Sequence, residues 1–126
     1  MDELHVWVGN FEGSIEEFRG FFDLTDFYKN YDSEDGFERC EFCKYIDDDS
    51  YDTDFIGFKV EDTSIQDLLI NTLPDSDLAE EVLNKCKKEN ILSPNAVLYY
   101  GDEDLDSDSF DEYFKGLKYL GTVDWN

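Results

Sequence analysis

The chain predicts an α+β fold, a single domain over residues 1–126 built on a sheet of roughly four strands with helices packed mainly on one face. Three observations carry that prediction. Apolar residues recur with period two at Leu4, Val6 and Val8 and again at Ile56, Phe58 and Val60, the pattern of strands with one buried face. Capping signals and apolar stripes of helical spacing fill the stretches between strands. With 126 residues, 40% hydrophobic and 17% aromatic, the chain has material for one core and is too short for two domains of ordinary size.

The first strand is the alternation of Leu4, Val6 and Val8 with His5 and Trp7, closed by a turn at Gly9-Asn10. Ser14 and Glu17 have the spacing of a capping box, and the helix behind them sets Ile15, Phe18 and Phe22 on one side. A polar connection over residues 23–36 leads to a short helical candidate at 37–46, with Phe42, Tyr45 and Ile46 as its apolar face. The cysteines and aromatics there suit a loop equally well. A second strand follows at 55–60.

Thr63 and Gln66 offer another capping box, for a helix that carries Ile65, Leu68 and Leu69 and is ended by Pro74-Asp75. The next helix, residues 77–90, buries Leu78, Val82 and Cys86. Its Lys85, Lys87 and Lys88 fall in the last turns, where cations suit the negative end of the dipole. Beyond a turn at Ser93-Pro94-Asn95, the apolar run AVLYY at 96–100 reads as a central strand. Ser109 with Glu112 could cap a short helix carrying Phe110, Tyr113 and Phe114 and ended by Gly116, and residues 117–125 form the last strand.

The charge balance is extreme, 10 Lys+Arg against 33 Asp+Glu for a net −23. Such a field repels nucleic-acid phosphates and anionic membrane surfaces and speeds encounter with basic partners. Direct nucleic-acid and membrane binding are therefore the classes it argues against. The N-terminus opens with acids rather than a basic segment and an apolar run, and no apolar stretch approaches a membrane span. With three cysteines, an odd number, the expectation is a cytoplasmic protein with reduced thiols.

Candidates for catalysis are few. His5 is the one histidine, and by alternation it shares a strand face with Trp7, so it reads as structural or partly exposed. Phosphate-binding glycine loops are absent. Cys40 and Cys43 make one CxxC; a structural zinc would have only Cys86 and His5 to complete it, and a redox pair is expected at a helix start following a strand. An EF-hand frame with Gly36 at its sixth position puts Tyr31 first and Phe42 last, where acids are required. No enzyme activity, cofactor or dedicated metal is expected.

What remains is binding. The stretch 47–60, DDDSYDTDFIGFKV, opens with Asp47, Asp48, Asp49, Asp52 and Asp54 and no base, then turns into the Ile56 strand. A similar block, Asp102, Glu103, Asp104, Asp106, Asp108, Asp111 and Glu112, follows the AVLYY strand. Each is a solvated loop or a surface for a basic protein, its carboxylates steering and its aromatics (Tyr51, Phe55, Phe110, Tyr113) anchoring. The expected interface is Asp47, Asp48, Asp49, Tyr51, Asp52, Asp54, Asp102, Glu103, Asp104, Asp106, Asp108 and Tyr113.

Four segments stand out together: His5-Val6-Trp7-Val8-Gly9-Asn10-Phe11 with Glu16-Glu17-Phe18, then Glu41-Phe42-Cys43 through Tyr51-Asp52-Thr53-Asp54-Phe55-Ile56, Asn95-Ala96-Val97-Leu98-Tyr99-Tyr100, and Leu117-Lys118-Tyr119-Leu120-Gly121-Thr122-Val123. In this order they resemble a known family, the bacterial immunity protein 22 family of polymorphic toxin systems. They occur in the family's order and span nearly the whole chain. Gly57-Phe58 and Trp125 depart from its pattern. The resemblance implies an antitoxin that binds and blocks a cognate toxin domain. A nuclease is the first expectation for that toxin, since a substrate-binding surface for phosphates is basic. The alternative is an acidic nucleic-acid mimic or interaction protein that binds another basic protein partner.

Overall fold

The computed structural model describes residues 3–102 and 104–124. Its centre is β1 (Glu3–Gly9), whose side chains are buried on both sides of the strand from Leu4 onward. Four further strands pair around it: β2 (Ile56–Val60), β3 (Ala96–Tyr100), β4 (Tyr113–Phe114) and β5 (Leu117–Asp124). All pairings are antiparallel, in the order β2-β3-β1-β5-β4. The apolar run of β3 lies inside the sheet, where both faces and both edges are occupied.

Five strands replace the four expected because residues 113–114 are a strand, not part of a capped helix. The reason lies in the turn that follows. Lys115 and Gly116 both take positive φ, 52° and 93°, the backbone of a tight hairpin whose twist matches that of its strands. Residues 107–109 form only a 3-10 turn.

Five α-helices lie among the described residues: α1 (Ile15–Gly20), α2 (Thr25–Asn30), α3 (Glu41–Ile46), α4 (Ile65–Thr72) and α5 (Ser76–Lys88). They cover both faces of the sheet, which corrects the expectation of helices mainly on one. Leu4, Val6, Val8, Val97 and Val123 pack with Leu68 and Leu69 of α4 and Leu78, Val82 and Cys86 of α5. Trp7, Leu98, Tyr100 and Leu117 point the other way, against Phe18 of α1 and Phe42, Cys43 and Ile46 of α3. The alternation of β1 was thus apolar against aromatic, not apolar against solvent.

Local signals explain the ends of these helices. Ser14 and Glu17 form the expected capping box, with the Glu17 N–H 3.2 Å from the Ser14 hydroxyl. The cap of α4 is Ser64, accepting from the Asp67 N–H at 3.1 Å, rather than Thr63 with Gln66. Asp75 caps α5 through the Leu78 N–H at 2.9 Å, and Lys85, Lys87 and Lys88 occupy its last turn. The polar connection 23–36 contains α2, which buries no residue, and the helix expected at 37–46 begins only at Glu41.

Candidate functional site

Strand register brings the two acidic blocks together. Ile56 lies opposite Tyr100, and Tyr100 opposite His5, so the start of β2, the end of β3 and the start of β1 are level. The loops that carry the blocks both leave the sheet at this end. Their backbones are tied directly where the Gly101 N–H donates to the Phe55 carbonyl at 2.8 Å, and the Tyr100 side chain adds a second tie, its hydroxyl accepting from the Asp52 N–H at 2.9 Å. His5 secures the second loop, its Nε2 lying 3.1 Å from the Asp102 carbonyl and its Nδ1 2.8 Å from the Tyr119 hydroxyl. A carbonyl only accepts, so Nε2 carries the proton, and in the neutral ring Nδ1 accepts from Tyr119.

Much of the carboxylate chemistry shapes these loops. Asp52 accepts from the Asp54 N–H at 3.0 Å, Asp102 from the Asp104 N–H at 2.9 Å, and Asp106 from the Asp108 N–H at 3.0 Å. Each is a side chain bonded to the backbone two residues on, a turn that aspartate favours over helix or strand. The recurring Asp-x-Asp spacing was visible in the sequence, and this is its structural use.

Electrostatically the first block divides in two. Arg39 lies 3.1 Å from Asp47 and 2.9 Å from Asp49, a cation eight and ten residues upstream that the window 47–54 did not include. Asp47 also ends α3 with positive φ, 57°. Among the described residues, no ion pair engages Asp48, Asp52, Asp54, Asp102, Asp104 or Asp108. The fields of both blocks meet at the buried Tyr100 hydroxyl. Burial first, then Asp102, Asp52 and Asp48, push its pKa up to about 12, against the Asp52 N–H bond that lowers it.

The aromatic candidates separate from one another. Tyr51 is half-buried; its hydroxyl donates to the Phe22 carbonyl and its ring packs edge-on against Phe42 at 5.6 Å between centroids. Phe110 packs against Tyr45, Tyr119 and Trp7 at 5.0, 5.1 and 5.7 Å. Tyr113 is exposed but sits on β4, beside Lys118 and level with Val8, toward the opposite end of the strands. Glu103 and Trp125 lie outside the described residues.

The remaining titratable groups are internal. His5 is 3% exposed, and burial lowers its pKa despite the Asp102 carbonyl and the charges of Glu3 and Asp102. Cys40 caps α3 by accepting from the Cys43 N–H at 3.1 Å, so this CxxC does open a helix, although a loop rather than a strand precedes it. The two thiols are free, buried and 2.6 Å apart at sulfur. Among the described residues, no three His, Cys, Asp or Glu side chains gather around a space for a metal ion, and no helix is long and apolar enough to cross a membrane.

Neither a curated protein nor a solved structure matches this chain. A family model does, that of immunity protein 22, over residues 4–126. The match runs from β1 through β5 and includes both acidic loops, so the chain belongs to the immunity protein 22 family.

Proposed function

We propose that this protein is an antitoxin without catalytic activity that binds a cognate toxin domain through the acidic end of its sheet. The toxin surface it meets is basic, and the toxin is a nuclease, whose substrate site must attract phosphates. The observation that carries the reading is the convergence of two acidic loops on Tyr100 and His5, with Asp48, Asp52, Asp54, Asp102, Asp104 and Asp108 outside the ion pairs of the described residues. Carboxylates left without an internal cation keep their full field for an incoming Lys or Arg. Asp47 and Asp49, held by Arg39, contribute less. Tyr51 ties the first loop to the core through the Phe22 carbonyl, and Tyr113, toward the opposite end of the strands, lies away from this surface.

The test is titration of the toxin domain encoded beside this gene with the protein, following toxin activity. Inhibition that saturates at one equivalent supports the antitoxin role. Unchanged activity and no complex at low salt would end it. The nuclease assignment is tested separately, by whether that domain degrades DNA or RNA when the antitoxin is absent.

A further inference from the structure

We propose that the outer edge of β2 is a docking site for an extended, basic-flanked strand of the protein partner, which adds a sixth strand to the sheet. The proposal deepens the reading above and takes its choice of a basic partner from it. The edge itself is read from the ladder. Gly101 donates to Phe55 and Glu61 to Asn95, each at 2.8 Å, and these bonds bracket the β2–β3 register. Antiparallel pairs alternate, so Gly57 and Lys59 turn their N–H and C=O groups to β3. Those of Ile56, Phe58 and Val60 turn outward. Among the described residues no backbone or side-chain hydrogen bond outside the ladder engages them. Unpaired groups at a sheet edge are a template for another strand.

The surroundings fit such an occupant. A groove of about 630 Å³ lined by Phe22, Tyr51 and Phe58 adjoins the edge, and a second of about 460 Å³ adjoins it at Ile15 and Val60. Arg19 and Phe58 line both, so the two grooves follow the strand. Alternate side chains of an added strand would enter them, since Ile56, Phe58 and Val60 point to this face. Exposed acids stand at both ends of β2, Asp52 and Asp54 before it and Glu61 and Asp62 after it. The one base within the strand, Lys59, is paired with Glu61 at 3.2 Å.

That charge pattern selects the partner. Two copies of this chain pairing antiparallel through β2 would set Asp52 and Asp54 of each against Glu61 and Asp62 of the other, on molecules of net charge −23. Like charges so placed oppose association. A segment with lysine or arginine at both ends and apolar residues at alternate central positions meets the same features favourably. The opposite edge of the sheet is a poorer template, because β4 pairs over two residues and β5 bends at Gly121, φ 92°.

Amide hydrogen exchange tests this with a synthetic peptide of alternating valine and threonine flanked by two lysines at each end. At saturating peptide the amides of Ile56, Phe58 and Val60 should slow by about tenfold or more, while Gly57 and Lys59 are already protected in the free protein. The same peptide with glutamates at its ends should leave all of them unchanged. No slowing with the lysine peptide, or equal slowing with the glutamate peptide, overturns the proposal. A toxin domain that binds without protecting these amides overturns it too, while leaving the antitoxin role standing. Protection by the lysine peptide, with a toxin domain that neither binds nor is inhibited, keeps the edge and removes the antitoxin reading. Val60→Pro supplies the companion variant. It deletes an outward N–H and spares the β3 ladder, so thermal unfolding should stay cooperative while peptide binding falls about tenfold.

Discussion

The two faces of the sheet are built from different chemistry. One is aliphatic: Leu4, Val6, Val8, Val97 and Val123 lie under α4 and α5, of 8 and 13 residues, each with a side-chain cap. The other is aromatic: Trp7, Tyr100 and Phe114 of the strands pack with Phe18 of α1, Phe42 of α3 and Phe22 of the loop between helices, and α1 and α3 have only 6 residues each. Aliphatic side chains have no polar tip, so they bury well against regular elements whose backbone is already satisfied. Aromatic and hydroxyl-bearing rings do a second job. Trp7 Nε1–H donates to the Tyr45 hydroxyl at 2.9 Å, which donates in turn to the Asp111 carbonyl. Tyr51 holds Phe22, Tyr100 holds Asp52, and His5 with Tyr119 holds Asp102. Burial pushes Tyr45, Tyr100 and Tyr119 up to about 12, so all three remain hydroxyls at physiological pH. Irregular backbone is kept where rings with polar tips can satisfy it. Both acidic loops are anchored from the aromatic side, and the aliphatic side is scaffold.

The largest effects are expected from truncation on each face. Trp7→Ala should cost about 3–5 kcal/mol and Leu68→Ala about 2–5 kcal/mol, read by urea unfolding. The two variants should differ in binding. Folded Leu68→Ala protein should keep toxin affinity, whereas Trp7→Ala loosens Tyr45, Phe110 and the second acidic loop and should lose it. Equal binding losses would mean that the faces do not divide the labour. A smaller effect is expected from Tyr100→Phe, which leaves the Asp52 N–H without its partner. It should cost about 1 kcal/mol in stability and speed exchange across residues 51–55, with the β3–β1 amides unaffected.

Acidification acts on the aromatic face through His5. Its folded pKa lies below the ordinary 6.5, so the neutral ring is the form the fold favours. Its contribution is fully present above pH 6.5 and is lost as pH falls toward the folded value. Melting temperature compared between wild type and His5→Gln should therefore show wild type losing ground below that pH. Relief of repulsion among the carboxylates is common to both proteins and cancels in the difference. The smallest change in stability is expected for Arg39→Gln, whose partners Asp47 and Asp49 are solvent-exposed. Its expected signature is faster toxin association, because two more carboxylates lose their internal cation.

Regular elements were legible because their signals are local. The Ser14–Glu17 spacing, the lysines ending α5 and the apolar run of β3 each lie within one turn or strand. Three features were not. The assignment of helices to faces depends on whether His5 and Trp7 meet solvent or a layer of rings, and nothing in β1 decides that. The β4 hairpin hid behind a Ser-x-x-Glu spacing that resembles a helix cap, while the two positive φ values at Lys115 and Gly116 favoured a turn. At the acidic loops the composition was plain, but the roles were not. Arg39 neutralises part of one block from outside it, and Tyr51, which looks like an exposed anchor in an acidic run, is tied into the core.

Whether the carboxylates outside ion pairs at the acidic end of the sheet draw in the toxin is decided by the association rate of the toxin domain with this protein, measured by stopped flow across ionic strength. The variant carries Asp52, Asp54, Asp102 and Asp104 changed to Asn, which removes charge and leaves an amide oxygen to accept the same turn hydrogen bonds. This variant should associate about tenfold or more slowly at low salt, with a shallower salt dependence and a dissociation rate close to wild type. Association as fast and as salt-sensitive as wild type would contradict it.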